Sequence, residues 1–162
     1  PMLLGGVFQA TGNRSPVEVP AKGAYIRGDF ERFAARYGVP LRFNPHFPVN
    51  TLLLMRGATA MQMQDGGARF GDYCAAVFRA MWVDEKAMND PAVVGQVLHA
   101  AGFDPAQMLA SAGQQAVKDQ LKAVTEEAVA RGVFGAPTMF VGGRMFWGQD
   151  RLDFVREALA AP

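Results

Sequence analysis

Only one stretch of this chain reads as sheet, and it is too short to stand alone. Thr138-Met139-Phe140-Val141 is rich in strand formers, Gly142-Gly143 offers the positive-φ pair of a tight hairpin turn, and Arg144-Met145-Phe146-Trp147 returns. Two strands make a marginal structure in water unless further strands or a helix cover them. Nearly everything before the hairpin carries helical spacing. The expectation is a mostly helical α/β protein whose hairpin depends on other parts of the fold.

Residues 1–21 hold few periodic positions and several breakers (Gly5-Gly6, Gly12-Asn13, Ser15-Pro16, Pro20) and read as a long loop. From about Ala24 to Tyr37 an apolar face of Tyr25, Phe30, Phe33, Ala34 and Tyr37 predicts a helix stopped by Gly38 and Pro40. Leu41-Arg42-Phe43 is a short extended piece leading into the rigid Asn44-Pro45-His46-Phe47-Pro48 loop. Helices are expected over 51–64, with Asn50 or Thr51 as cap, and over 68–83, burying Phe70, Tyr73, Cys74, Val77, Phe78 and Met81. Asp90-Pro91 and Asp104-Pro105 each open a further helix, with aspartate as cap and proline in the first turn. A longer one over 114–130 buries Val117, Leu121, Val124 and Ala128, and a last one ends at Ala160 with Leu152, Val155 and Leu159 inward.

Length and charge bound the function. The 162 residues suit one compact domain, and 50% hydrophobic with 19% charged residues is enough apolar material for a core. Sixteen basic against 15 acidic side chains give a net charge of +1, which favours neither nucleic acid nor a membrane surface as partner. Residues 1–70 carry 8 basic and 4 acidic groups, which is compatible with a small anionic ligand. The single Cys74 excludes an internal disulfide, a Cys-rich zinc site and a CxxC pair within these residues, and the two histidines are too far apart to read as a metal pair. A cytoplasmic location is expected, and no metal.

Few residues invite chemistry. A proline at the first position of a strand, as in Ala136-Pro137, is permitted in trans; in cis it would turn the backbone of Ala136 outward, free to pair with a peptide-like ligand. Gly148-Gln149-Asp150-Arg151 opens a helix. Its backbone donors suit a carboxylate and Asp150 suits an ammonium group, together the two ends of an α-amino acid; Asp150 as an ordinary cap is the alternative. Lys22 could pair with an anion and Asn13 hydrogen-bond it, or they are a solvated lysine and a turn asparagine. Asn44, Pro45 and Phe47 could line a flat aromatic pocket. His46 could move a proton near neutral pH, though loop histidines are commonly structural. Cys74, among apolar helix residues, reads as filler rather than nucleophile.

Taken together, five segments resemble the 2-hydroxychromene-2-carboxylate isomerases and the related kappa-class glutathione transferases: Leu3-Leu4-Gly5-Gly6-Val7-Phe8 with Thr11-Gly12-Asn13, Pro20-Ala21-Lys22-Gly23-Ala24-Tyr25, Asn44 to Asn50, Gly132 to Phe140, and Trp147-Gly148-Gln149-Asp150-Arg151. The resemblance implies a thioredoxin-like domain of the DsbA and kappa-class type, formed by residues 1–23 and 133–162, with an inserted helical domain over 24–132. It implies glutathione as cofactor, held by Asn13, Lys22, Ala136, the cis-proline Pro137, Gln149 and Asp150. A small aromatic carboxylate would be the substrate, near Asn44, Pro45 and Phe47, and the protein would be a homodimer. The family's opening strand, Ser-Pro turn, helix and second strand are missing from these residues, and the implied activity is expected only where that portion exists. Ser15-Pro16 does not match that turn, so no catalytic serine is assigned. The implied activity is a glutathione-dependent cis–trans isomerisation. The alternatives are a kappa-like transferase or a DsbA-like thiol–disulfide oxidoreductase, and a truncated, inactive scaffold fragment.

Overall fold

The computed structural model describes residues 1–161. In chain order the helices are α1 (Leu4–Thr11), α2 (Pro20–Tyr37), α3 (Leu52–Met63), α4 (Phe70–Trp82), α5 (Pro91–Ala100), α6 (Pro105–Gly113), α7 (Gln115–Ala130) and α8 (Leu152–Ala160). Between α7 and α8 lie β1 (Thr138–Val141) and β2 (Arg144–Trp147), antiparallel, with Thr138 opposite Trp147 and Val141 opposite Arg144. Gly142 and Gly143 turn the hairpin at φ 54° and 78°, as their sequence predicts. Among the described residues these two strands are the whole sheet.

Residues 1–21 are not the long loop that their glycines and prolines suggest. α1 occupies Leu4–Thr11, a 3₁₀ turn spans Pro16–Glu18, and α2 starts at Pro20, ahead of the expected Ala24. Docking on α7 explains the first helix. Thr125 Oγ1 accepts from the Leu3 N–H at 3.0 Å and itself donates to the Leu121 carbonyl at 2.7 Å. Val7 is fully buried. Gly6 lies so close that a Cβ there would stand 3.2 Å from Thr125 Cγ2. A glycine costs about 1 kcal/mol of helix propensity, and the packing of α1 on α7 outweighs it. The expected division after residue 23 falls inside α2.

The main core lies between α3, α4, α5 and α6, built from Leu54, Met61, Tyr73, Met81, Met88, Val94, Leu98, Phe103 and Met108. Asp90 accepts from the Ala92 N–H and Asp104 from those of Ala106 and Gln107, so both Asp-Pro starts work as read. α7 packs against α3 as well as α1. It buries Val117, Leu121 and Thr125, while Val124 and Ala128 are half-covered.

Three expected apolar faces are not covered in this chain. α2 has no fully buried residue, and Tyr25 is 64% exposed. Phe78 of α4 is 63% exposed and Leu159 of α8 69%, with Leu152 also exposed. Helical spacing marks which residues share a face, but it cannot say whether another element lies against that face. No helix among the described residues is long and apolar enough to cross a membrane.

Tyr73 ties α4 to α3 and makes the core sensitive to one glycine. Its hydroxyl donates to the Leu54 carbonyl at 2.8 Å, and a Cβ on Gly57 would collide with that hydroxyl and stand 2.9 Å from Cζ. Gly57→Ala should therefore lower stability in urea unfolding by about 1–3 kcal/mol, although alanine is the better helix former. Burial, with Cys74 adding to it, holds the Tyr73 phenol protonated above its ordinary range. In the unfolded chain that proton is released near pH 10. Above that pH the unfolded state binds fewer protons, so stability should fall as pH rises past about 10. A pH series of unfolding midpoints should show a shallower fall in Tyr73→Phe.

Candidate functional site

The segment between α7 and β1 is held by backbone contacts on either side of one free residue. Asn13 follows α1, which Gly12 ends in a left-handed conformation, and its Nδ2 donates to the Phe134 carbonyl at 2.8 Å. Its Oδ1 accepts from the Arg14 N–H, which fixes the amide's orientation. Thr138 Oγ1 donates to the Gly135 carbonyl at 2.7 Å, and the Gly148 N–H donates to the Pro137 carbonyl at 3.0 Å. Trp147 closes over Gly135, where a Cβ would stand 2.6 Å from Nε1, and its ring lies 5.1 Å from that of Phe134.

The residue in the middle is Ala136. The Ala136–Pro137 bond is cis. Ala136 is exposed, and neither its N–H nor its carbonyl has a partner among the described residues. A peptide backbone running alongside would find one donor and one acceptor there, on a segment whose neighbours are all fixed.

At the same open end of the hairpin, next to Pro137, Gly148 adopts φ 106°, and a Cβ on it would run into the Asp150 carboxylate. Only glycine combines that conformation with that close approach. Gln149–Arg151 form a 3₁₀ turn whose cap residue is Gly148, not Asp150, and Asp150 makes no capping hydrogen bond. The reading of Asp150 as an ordinary cap is thereby removed. Its half-exposed carboxylate pairs with Arg151, an exposed contact that contributes little and yields easily to a competing cation.

α2 connects this turn to Lys22. Tyr37, in the last turn of α2, donates its hydroxyl to the Gln149 carbonyl at 3.0 Å. Lys22 lies 15 residues earlier on the same helix. At 100° and 1.5 Å per residue, the two share a face and stand about 22 Å apart along the axis. Lys22 is exposed on α2 rather than in a loop, and no carboxylate among the described residues pairs with it. Lys22 and the Gln149–Asp150 turn cannot hold the same charged group.

The Asn44–Pro48 loop is a separate construction. Asn44 is 1% exposed. Its Nδ2 donates to the carbonyls of Met81 and Lys86, both at 2.8 Å, and its Oδ1 accepts from the His46 N–H at 2.8 Å. With its amide so engaged, Asn44 is the loop's anchor and presents no free polar group. Pro45 is exposed and Phe47 half-buried, packed with Phe43 and Trp82 at ring distances of 5.5 and 5.7 Å. The Phe47–Pro48 bond is also cis, which the sequence reading did not anticipate. His46 is exposed. Cys74 is half-buried, and burial pushes its thiol pKa up, away from a reactive thiolate.

Sequence reasoning did not single out Trp147, Tyr37 or Thr138 for the site. A tryptophan four positions past the glycine turn and a threonine just after the proline are visible in the sequence; the Thr138 contact with Gly135 is local, whereas that of Trp147 depends on the hairpin register.

Comparison with known proteins supplies the context. A family model described as a DSBA-like thioredoxin domain matches residues 1–160. A 2-hydroxychromene-2-carboxylate isomerase of Pseudomonas sp. (strain C18) is 32% identical, over 96% of this chain and 72% of its own length. Glutathione S-transferase kappa 1 of Rattus norvegicus is 27% identical, over 96% of this chain and 74% of its own. The solved structure of a 2-hydroxychromene-2-carboxylate isomerase superposes with a TM-score of 0.82 at 28% identity, covering 98% of this chain and 76% of that one.

Two substitutions test the local geometry. Asn44→Ala leaves the Met81 and Lys86 carbonyls buried without their donor and should cost about 2–3 kcal/mol in chemical denaturation. Asn13→Ala removes two exposed bonds whose partners water can replace, so global stability should change by less than about 1 kcal/mol, while amide exchange should quicken around Phe134 to Ala136.

Proposed function

Because this chain belongs to the DSBA-like thioredoxin family, together with the 2-hydroxychromene-2-carboxylate isomerases, we propose that it is a glutathione-dependent cis–trans isomerase acting on 2-hydroxychromene-2-carboxylate or a similar aromatic carboxylate. The observation that carries the reading is the exposed, unpartnered backbone of Ala136 between residues that are each fixed by a hydrogen bond. That feature fits a peptide cofactor.

The remaining donors fit the rest of a γ-glutamyl tripeptide. Ala136, next to Pro137, pairs with the cysteinyl backbone. The Asp150 carboxylate accepts from the γ-glutamyl ammonium, displacing Arg151, and Gln149 hydrogen-bonds the same end. Lys22, on the same face of α2 as Tyr37, meets a carboxylate at the other end. Asn13 acts through the Phe134 carbonyl, keeping the Ala136 segment in place. The first residues of the chain and 133–162 form the cofactor-holding portion and the helices that follow α2 the helical insertion, with the boundary outside the continuous helix α2. Asn44 fixes the loop that presents Pro45 and Phe47 to a flat ring.

Glutathione, when bound, supplies a thiol that adds to a conjugated double bond and leaves again, so that the bond can rotate. Ala136, Gln149, Asp150 and Lys22 would bind and orient that cofactor. The similarity to kappa-class transferases makes conjugation the second reading. Both readings use the same cofactor site.

Titration calorimetry with glutathione separates the site from the reaction. Asp150→Ala and Lys22→Ala should each weaken glutathione binding by about tenfold, the loss of one charge-assisted contact. Unchanged affinity in both would sink the assignment of those two residues. Glutathione-dependent conversion of 2-hydroxychromene-2-carboxylate to its open benzylidenepyruvate, followed by absorbance, should be observed. Conjugation of an electrophilic chloroarene without that conversion would favour the transferase.

A further inference from the structure

Apart from the cofactor site, the helical block contains a pocket that no step above uses. It opens between α3, α4, α5 and α6 and encloses about 210 Å3. Leu53, Tyr73, Val94, Leu98 and Met108 form its wall, and exposed Ala106 and Leu109 stand at the rim. Two glycines shape it: Gly57 lets the hydroxyl end of the Tyr73 ring approach α3, and Gly95 leaves its stretch of α5 without a side chain.

The chemistry of the lining restricts the occupant. No charged side chain reaches the pocket. The Tyr73 hydroxyl is already donated to the Leu54 carbonyl, and burial keeps that phenol neutral. A carboxylate or ammonium inside would lose its hydration and gain no partner. A neutral ring loses nothing polar, and apolar cavities of about 150 Å3 in other proteins stay dry and take up benzene.

We propose that this pocket is a second binding site, for a small neutral apolar molecule of the size of a substituted benzene, separate from the proposed cofactor and substrate site. Its lining shares no residue with Asn13, Lys22, Ala136, Gln149 or Asp150. Occupancy stabilises the folded helical block by mass action.

Toluene and benzoate form a matched pair of probes that differ in charge. Titrated into the methyl-labelled full chain, toluene should shift the resonances of Leu53, Leu98 and Met108 in a saturable way. Benzoate at the same concentration should leave them unmoved. Ala106→Phe plugs the mouth from an exposed position and Gly95→Leu fills the interior. Either should weaken the toluene response by about tenfold or more and leave glutathione affinity unchanged. The proposal is overturned if toluene gives no saturable shift, if benzoate shifts the same methyls equally, or if both variants bind toluene as the parent does. Since the readout uses neither glutathione nor turnover, its failure is distinguishable from failure of the isomerase reading.

Discussion

A glycine beneath an indole sets the position of everything at the C-terminal end of this chain. Gly135 lies where any Cβ would meet Trp147 Nε1, so the segment entering β1 can approach the end of β2 only because it lacks a side chain. With that approach made, the Pro137 carbonyl meets the Gly148 N–H, Thr138 closes on the Gly135 carbonyl, and Asn13 reaches Phe134 from the other end of the sequence. Each contact is modest alone, about 1 kcal/mol. Together they leave Ala136 as the one residue of the segment with both backbone groups unspent.

The same economy recurs in the helical block. Gly57 admits Tyr73, whose single hydrogen bond to Leu54 joins two helices, and Gly6 admits Thr125, whose hydroxyl serves both α1 and α7. In both places a small residue exchanges helix propensity for a satisfied polar group at a helix contact. Buried groups without a partner cost more than the propensity lost. Asn44 follows that rule without a glycine, spending its amide on three backbone groups to hold the loop that carries Phe47.

The local chemistry of most elements was legible in the sequence. Both Asp-Pro starts, the Gly142-Gly143 turn and the extent of α7 follow from residues that act on their immediate neighbours. The elements that local pattern does not predict share a different character. α1 was hidden because its two glycines argue locally for a break, whereas its stability comes from α7, more than a hundred residues away. Helical spacing overstates the burial of α2, Phe78 and Leu159 because periodicity reports a face and not its cover.

Much the same holds for the site. The sequence by itself determined which residues could matter: Ala136 before a proline, an acidic residue at a helix start, a lysine and an asparagine near a glycine-rich beginning. It also determined that one lone cysteine could not do redox chemistry as a pair. Only the tertiary structure decided their roles. It assigned Asn44 to holding a loop, freed Asp150 from capping, moved Lys22 onto a helix, and set it at the opposite end of α2 from the Gln149 contact. The physical reason is that a hydrogen bond or a charge can be spent only once. Which partner takes it depends on contacts between segments far apart in the chain, which no local pattern records.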